Sequence, residues 1–267
     1  MPDSIDVGAY LARIEWDGPV RPNFDTLCGV LRAHMRRIPF ENLDVLLGRG
    51  IPLDLVAVQS KLVASRRGGY CFEHATLFAA ALDALGFSTC LHSARVVLLS
   101  PATVSPRTHM FATVSLPEGT FVVDPGFGAL APEVPVALAL RDDPSHAGHW
   151  MARDGRYRVL RARTSEKIVD CWVSTLEADN PADFVVANHY TATHPSSPFR
   201  NRLLMRAATE TGRVTVQNRE VTIRNGTETR TYEIAERREL RAVIAEHFGF
   251  DMPEVETLRV PSIAQWQ

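Results

Sequence analysis

In the stretch "RRGGYCFEHATLF", residues 66–78, Cys71 stands just past a Gly-Gly pair and at the start of a run with helical spacing. Cys71, Ala75, Phe78, Leu82 and Leu85 fall at i, i+4, i+7, i+11 and i+14, on one stripe of a helix that Gly86 ends. The stripe suits a packed cysteine, because free cysteine is among the most buried residue types. Its place in the first turn suits a reactive one. Unpaired backbone N–H groups and the positive end of the helix dipole stabilise a thiolate there, and Gly68 and Gly69 permit a sharp turn that leaves space beside the sulfur. The chemistry open to such a thiol is nucleophilic catalysis, which needs a general base in hydrogen-bond reach and a third group to orient that base.

Nine histidines compete for the role of base. His34, His74 and His247 lie in helical stretches, and His146 and His149 lie in the polar "DDPSHAGHW", where surface or packing roles are expected. His109 opens "HMFATVSL", in which Met110, Ala112, Val114 and Leu116 alternate onto one face and His109, Phe111, Thr113 and Ser115 onto the other. The imidazole is therefore expected on the face away from the aliphatic core. Asp124 closes "TFVVD" before Pro125, Gly126, Phe127 and Gly128, a carboxylate at a strand end beside a glycine-lined opening, where catalytic groups are common. A tight turn at Glu118-Gly119 would set Asp124 opposite Thr113, on His109's face but about 13 Å along the strand at 3.3 Å per residue. Contact between the two then requires a bulge, a wider loop or a different pairing. Glu73 is expected to act as a favourable dipole partner in the helix's first turn. Arg66 and Arg67 are expected to pair with a nearby acid, for which Glu41 is the candidate.

Different kinds of element must hold these side chains. From Ile5 to about Leu85 the apolar spacing is mainly helical, as in "LCGVLRAHMRRI", with breaks at Pro39, Pro52 and Gly68-Gly69. After Gly86 come short β-rich runs, "ARVVLLS", "HMFATVSL", "TFVVD", "YRVLRA", "IVDCWVS", "VTVQ", "VTIR" and "RTYEIA", set apart by Pro, Gly and Ser. "ERRELRAVIAEHFGF" then resumes helical spacing through Leu240, Val243, Ile244 and Phe248 until Gly249 and Pro253. The expected class is α+β in three parts: a helical region over residues 1–90, a β region of barrel or sandwich character over 91–190, and a mixed region over 191–267.

A chain of 267 residues, 45% hydrophobic and 22% charged, can bury a real core. Its formal net charge of -2 gives no global attraction for nucleic acid or an anionic membrane, so an anionic ligand must be met locally. No run approaches the roughly 18 uninterrupted apolar residues of a spanning helix, and "MPDSIDVGAYLARIEWDG" has no basic region followed by an apolar one. Cys28, Cys71, Cys90 and Cys171 are scattered, with no CxxC pair. A soluble, cytoplasmic protein with reduced thiols and no metal site is expected.

In order along residues 38–199, "IPFENLD", "RRGGYCFEH", "ARVV", "TH", "VVDPGFG" and "YTATHPSSPF" resemble the motifs of the arylamine N-acetyltransferases. The resemblance implies a cysteine acetylated by acetyl-CoA and discharged to an arylamine, arylhydrazine or N-hydroxyarylamine. It implies Cys71 as nucleophile, His109 as base and Asp124 as the carboxylate that orients His109. It further implies an N-terminal helical bundle, a central β-barrel and a C-terminal α/β lid, with a papain-like Cys-His-Asp arrangement. Gly126, Phe127, Gly128 and Phe199 match positions bordering the CoA site, and Phe40 and Tyr70 match residues lining the acceptor pocket. The chain departs from the family's usual pattern at Ala75, where Asn is usual, and at Pro125, where Val or Ala is usual and whose ring removes a backbone N–H.

The implied reaction is ping-pong acyl transfer through an acetyl-Cys71 thioester. The same three groups open to water would make a cysteine hydrolase, a thioesterase, amidase or peptidase. Taking an acyl group from a carrier protein instead of CoA they would make an amide synthase, and in a non-catalytic binding protein Cys71 would only pack. A hydrolase turns over donor without amine, an amide synthase ignores acetyl-CoA, and a binding protein forms no acyl-enzyme.

Overall fold

The structure, a computed structural model, describes residues 4–98, 100–141 and 147–266; His146 lies outside them. The helices are α1 (Val7–Ile14), α2 (Phe24–Arg37), α3 (Leu43–Leu46), α4 (Leu55–Gln59), α5 (Cys71–Ala84), α6 (Pro181–Thr193), α7 (Pro198–Asn201) and α8 (Arg237–His247). The strands are β1 (Phe40–Glu41), β2 (Ser88–Val96), β3 (Arg107–Leu116), β4 (Gly119–Val123), β5 (Val136–Ala137), β6 (His149–Asp154), β7 (Tyr157–Arg163), β8 (Ile168–Ser174), β9 (Leu204–Ala208), β10 (Gly212–Gln217), β11 (Glu220–Asn225) and β12 (Glu228–Glu233). The class is α+β, as the residue patterns indicate. The chain packs as two compact units, one drawn from residues 1–16, 33–70 and 188–267 and the other from 17–32 and 71–187. Both are discontinuous in sequence.

The first unit contains a five-stranded antiparallel sheet in the order β1-β9-β10-β11-β12. Alternation turns Val214 and Val216 inward, and they share a core with Met205, Val221 and the Leu240 and Ile244 stripe of α8. Burying a side chain of this size contributes about 1.5–3 kcal/mol. Asn42 joins distant segments of this unit: its Nδ2 donates to Phe199 O (2.7 Å) and Arg202 O (2.8 Å), and its Oδ1 accepts from Leu204 N (2.9 Å). Arg67 donates to Glu41 and Asp44, as proposed for Glu41, and Lys61 also meets Asp44 at 2.8 Å. Burial would raise the Asp44 carboxyl, but Lys61 and Arg67 pull it down to about 2. This network braces the segment that leads into Cys71. Within it, Gly68 passes so close to Pro39 that a Cβ would lie 2.2 Å from the Pro39 carbonyl oxygen.

The second unit is built on a seven-stranded antiparallel sheet in the order β5-β4-β3-β2-β8-β7-β6. It curls until its edges nearly meet, with Leu140 bridging Met151 and Arg141 N donating to Met151 O at 2.9 Å. This is the expected barrel. Its interior holds Phe111, Val122, Met151, Leu160 and Trp172, and α5 packs against β2 and β3.

Candidate active site

Cys71 is the first residue of α5. The predicted stripe is buried, with Ala75, Phe78 and Leu82 joining Cys71, but so are Phe72, Leu77 and Ala81 on the other sides. The helix is enclosed nearly all round, and Gly86, at φ +87°, follows its end. The loop after Asp124 lies against its start: a Cβ on Gly126 would stand 2.6 Å from Cys71 Cα and 3.1 Å from Cys71 O. Only glycine fits there without displacing backbone.

His109 and Asp124 meet because the hairpin turns one residue earlier than the spacing suggests. Leu116 pairs with Gly119 and Ala112 with Val123, so the turn is Pro117-Glu118. Asp124, next after Val123, falls level with Phe111, about 7 Å along the strand from His109 instead of 13 Å. A bulge lies on the other side of β3. Ala94 pairs with His109 and Arg95 with Arg107, leaving Thr108 as the extra residue immediately before the histidine. Nor does His109 face away from a core, since β3 is buried on both sides from His109 to Val114.

His109 Nε2 meets Asp124 Oδ2 at 2.8 Å, and a hydrogen bond links His109 to Cys71, whose Sγ also lies 3.9 Å from Thr108 O. With Nε2 committed to the carboxylate, Nδ1 is the nitrogen left for the thiol. Cys71 and His109 are each 2% exposed and Asp124 is fully buried. Burial alone would push the imidazole down. The Asp124 charge, its hydrogen bond and the contact with Cys71 outweigh burial and raise it from 6.5 to about 10. Cys171 shows the contrast: burial pushes its thiol up to about 12, reinforced by Asp124 and Asp170.

The remaining sequence candidates divide between the units. Phe127 meets His109 edge-on at 4.9 Å, and Gly128 adopts φ +63° at the start of a short 3-10 turn. In the first unit Phe199 lies 6.2 Å from Phe40 and 5.5 Å from Tyr70, ring centre to ring centre. Tyr70 is fully buried, and its hydroxyl donates to Asn188 Oδ1, while Asn188 Nδ2 donates to Ile51 O at 2.8 Å. Asn188 and Trp172 are polar partners the sequence reading missed. Trp172 Nε1 donates to Asp124 Oδ2 at 2.9 Å. Ala75, one turn beyond Cys71, offers no side-chain donor, and Asp124 Oδ1 accepts no hydrogen bond from the described residues.

A thiol, an imidazole and a carboxylate joined in that order are the groups that a site with a cysteine nucleophile, its base and an orienting group requires. The N-acetyltransferase family model matches residues 23–257. An arylamine N-acetyltransferase of Escherichia coli (strain K12) is 36% identical over 251 residues, 92% of this chain and 89% of its own. The structure of the arylamine N-acetyltransferase from M. tuberculosis superposes with a TM-score of 0.88 at 31% identity, covering 94% of this chain and 98% of that one. That of the Mycobacterium marinum enzyme in complex with CoA gives a TM-score of 0.87 at 29% identity, covering 94% of each. This chain belongs to the arylamine N-acetyltransferase family.

Proposed function

We propose that this protein moves an acetyl group from acetyl-CoA to an arylamine, arylhydrazine or N-hydroxyarylamine through a thioester on Cys71. The observation that carries the reading is the hydrogen-bonded series Cys71, His109, Asp124. The Cys71 thiolate, paired with His109 as imidazolium, attacks the acetyl carbonyl carbon; the tetrahedral species collapses, and the departing CoA sulfur takes the proton from His109. The amine then attacks acetyl-Cys71, His109 accepts a proton from its nitrogen, and the Cys71 thiolate leaves. Backbone N–H groups in the first turn of α5 are the oxyanion donors, since a helix start leaves them unpaired. The enclosure of Cys71 and His109, each 2% exposed, disfavours water as the competing acceptor and supports transfer over hydrolysis.

In this reading Gly126, Phe127, Gly128 and Phe199 border CoA, and Phe40 and Tyr70 line the acceptor pocket. The three reacting groups follow a papain-like arrangement. Residues 1–90 supply the nucleophile, 91–190 the base and carboxylate, and 191–267 the lid. No helix among the described residues is long and apolar enough to cross a membrane. We place the protein in the cytoplasm, with no nucleic-acid or membrane partner.

Acid-quenched intact-mass measurement after mixing with acetyl-CoA alone tests the proposal, with Cys71→Ala alongside. One acetyl adduct is expected on the parent and none on the variant, and an added arylamine should remove it as its N-acetyl product. Release of CoA without an adduct would identify a hydrolase. Neither adduct nor CoA release would point to a carrier-bound donor or to no catalysis.

A further inference from the structure

We infer that Trp172 is a positioning residue of this site: its indole N–H holds the Asp124 oxygen that His109 also uses, and so fixes the carboxylate against the base. The inference rests on the reading of Cys71, His109 and Asp124 as the reacting set. Both side-chain hydrogen bonds to Asp124 converge on Oδ2, from His109 at 2.8 Å and Trp172 at 2.9 Å, while Oδ1 accepts none from the described residues. A fully buried carboxylate held by His109 alone could turn about its Cβ–Cγ bond and present either oxygen. The second donor removes that freedom. An indole N–H is also a donor only, so it stabilises the anion without competing for the proton that passes between Cys71 and His109.

The strands are built to put the indole there. Leu160 pairs with Trp172 and Arg161 with Asp170, which leaves Cys171 as the extra residue of a bulge immediately before Trp172. A regular strand would send Cys171 and Trp172 to opposite faces, yet both belong to the same barrel core. The bulge before His109 has the same form, so each of these donors to Asp124 follows a break in strand register. Phe111 fixes the ring plane by stacking on Trp172 at 4.2 Å and 25°. An indole serving only to fill the core would need neither the bulge nor the aim.

The test replaces Trp172 with 3-benzothienylalanine by site-specific incorporation, which keeps the bicyclic ring and exchanges N–H for sulfur, and compares it with Trp172→Phe. The readouts are the rate of Cys71 alkylation by iodoacetamide between pH 6 and 8, single-turnover acetylation by acetyl-CoA, and thermal melting. Loss of one hydrogen bond to a charged group predicts both rates falling about tenfold in the isostere, with the melting transition still cooperative and lowered by only a few degrees. In an Asp124→Ala background the same exchange should change alkylation less than twofold. Rates within twofold of the parent, or an equal loss with and without Asp124, would overturn the inference and leave Trp172 as packing. Because alkylation needs no acyl donor, failure of the acetyl-transfer reading would show separately, as a parent that alkylates normally but forms no acetyl adduct.

Discussion

Burial disfavours an imidazolium, so the charge on His109 depends on Asp124 and, to a lesser degree, on Cys71. Asp124→Asn removes the carboxylate and leaves burial dominant; the imidazole should then titrate below its ordinary 6.5 instead of near 10. Long-range ¹⁵N NMR of the histidine ring against pH measures this directly. The linked stability has a definite sign. A histidine raised in the folded state binds its proton there more tightly than in the unfolded chain, so its contribution is whole below about pH 6.5 and is lost as pH rises through about 10. The melting temperature of the parent relative to Asp124→Asn should therefore shrink across that window, and a difference that grew would contradict the charge assignment. The three candidate residues were legible because a thiol at a helix start, an imidazole on a strand and an acid at a strand end are unusual placements for those types. Trp172 was not, because a tryptophan in a strand reads as core and nothing in "IVDCWVS" reports a hydrogen bond 48 residues away.

Strand register decides whether these residues meet, and register was the least legible level. Shifting the β3–β4 turn by one position shortened the His109 to Asp124 offset from about 13 to about 7 Å, while Pro117-Glu118 and Glu118-Gly119 are both acceptable turn sequences. Bulges at Thr108 and Cys171 leave no compositional mark either. Strands β6 and β9 were missed for a related reason: "HWMARD" ends in exposed charge and "LMRAA" has weak β propensity, so tertiary pairing fixes both. Helix α5 was predicted well, since five apolar positions and a terminal glycine agree on one pattern. The close approach of β4's following loop to that helix gives an element-level prediction. Gly126→Ala must push the loop off the Cys71 backbone, because its Cβ would meet Cα at 2.6 Å. Loss of alignment of this size should lower the rate of Cys71 acetylation about a hundredfold. Near-parental melting would show that the helix and barrel persist, and an unchanged acetylation rate would mean the loop can shift without disturbing the site.

At the scale of the whole chain, the sequence reads as three successive regions because composition changes twice, but composition carries no record of which distant segments share a core. In the first unit β1 pairs with β9, Leu43 packs with Leu203 and Met205, and Asn42 bonds the backbone at Phe199, Arg202 and Leu204. Segment 33–70 thus draws its sheet partner and much of its core from beyond residue 187. A chain ended at Ala187 keeps Cys71, His109 and Asp124 yet strips that segment of β9 to β12 and α8. If the C-terminal third were only a cover, the shortened chain would keep residues 33–70 folded and resistant to protease. Interleaving predicts the reverse: rapid cleavage within 33–70 under limited proteolysis, and a urea transition with a reduced m-value because less surface remains to be exposed. Peptide mapping of the first cuts decides between them, since early cleavage confined to other parts of the shortened chain would show that 33–70 holds its fold without its C-terminal partners.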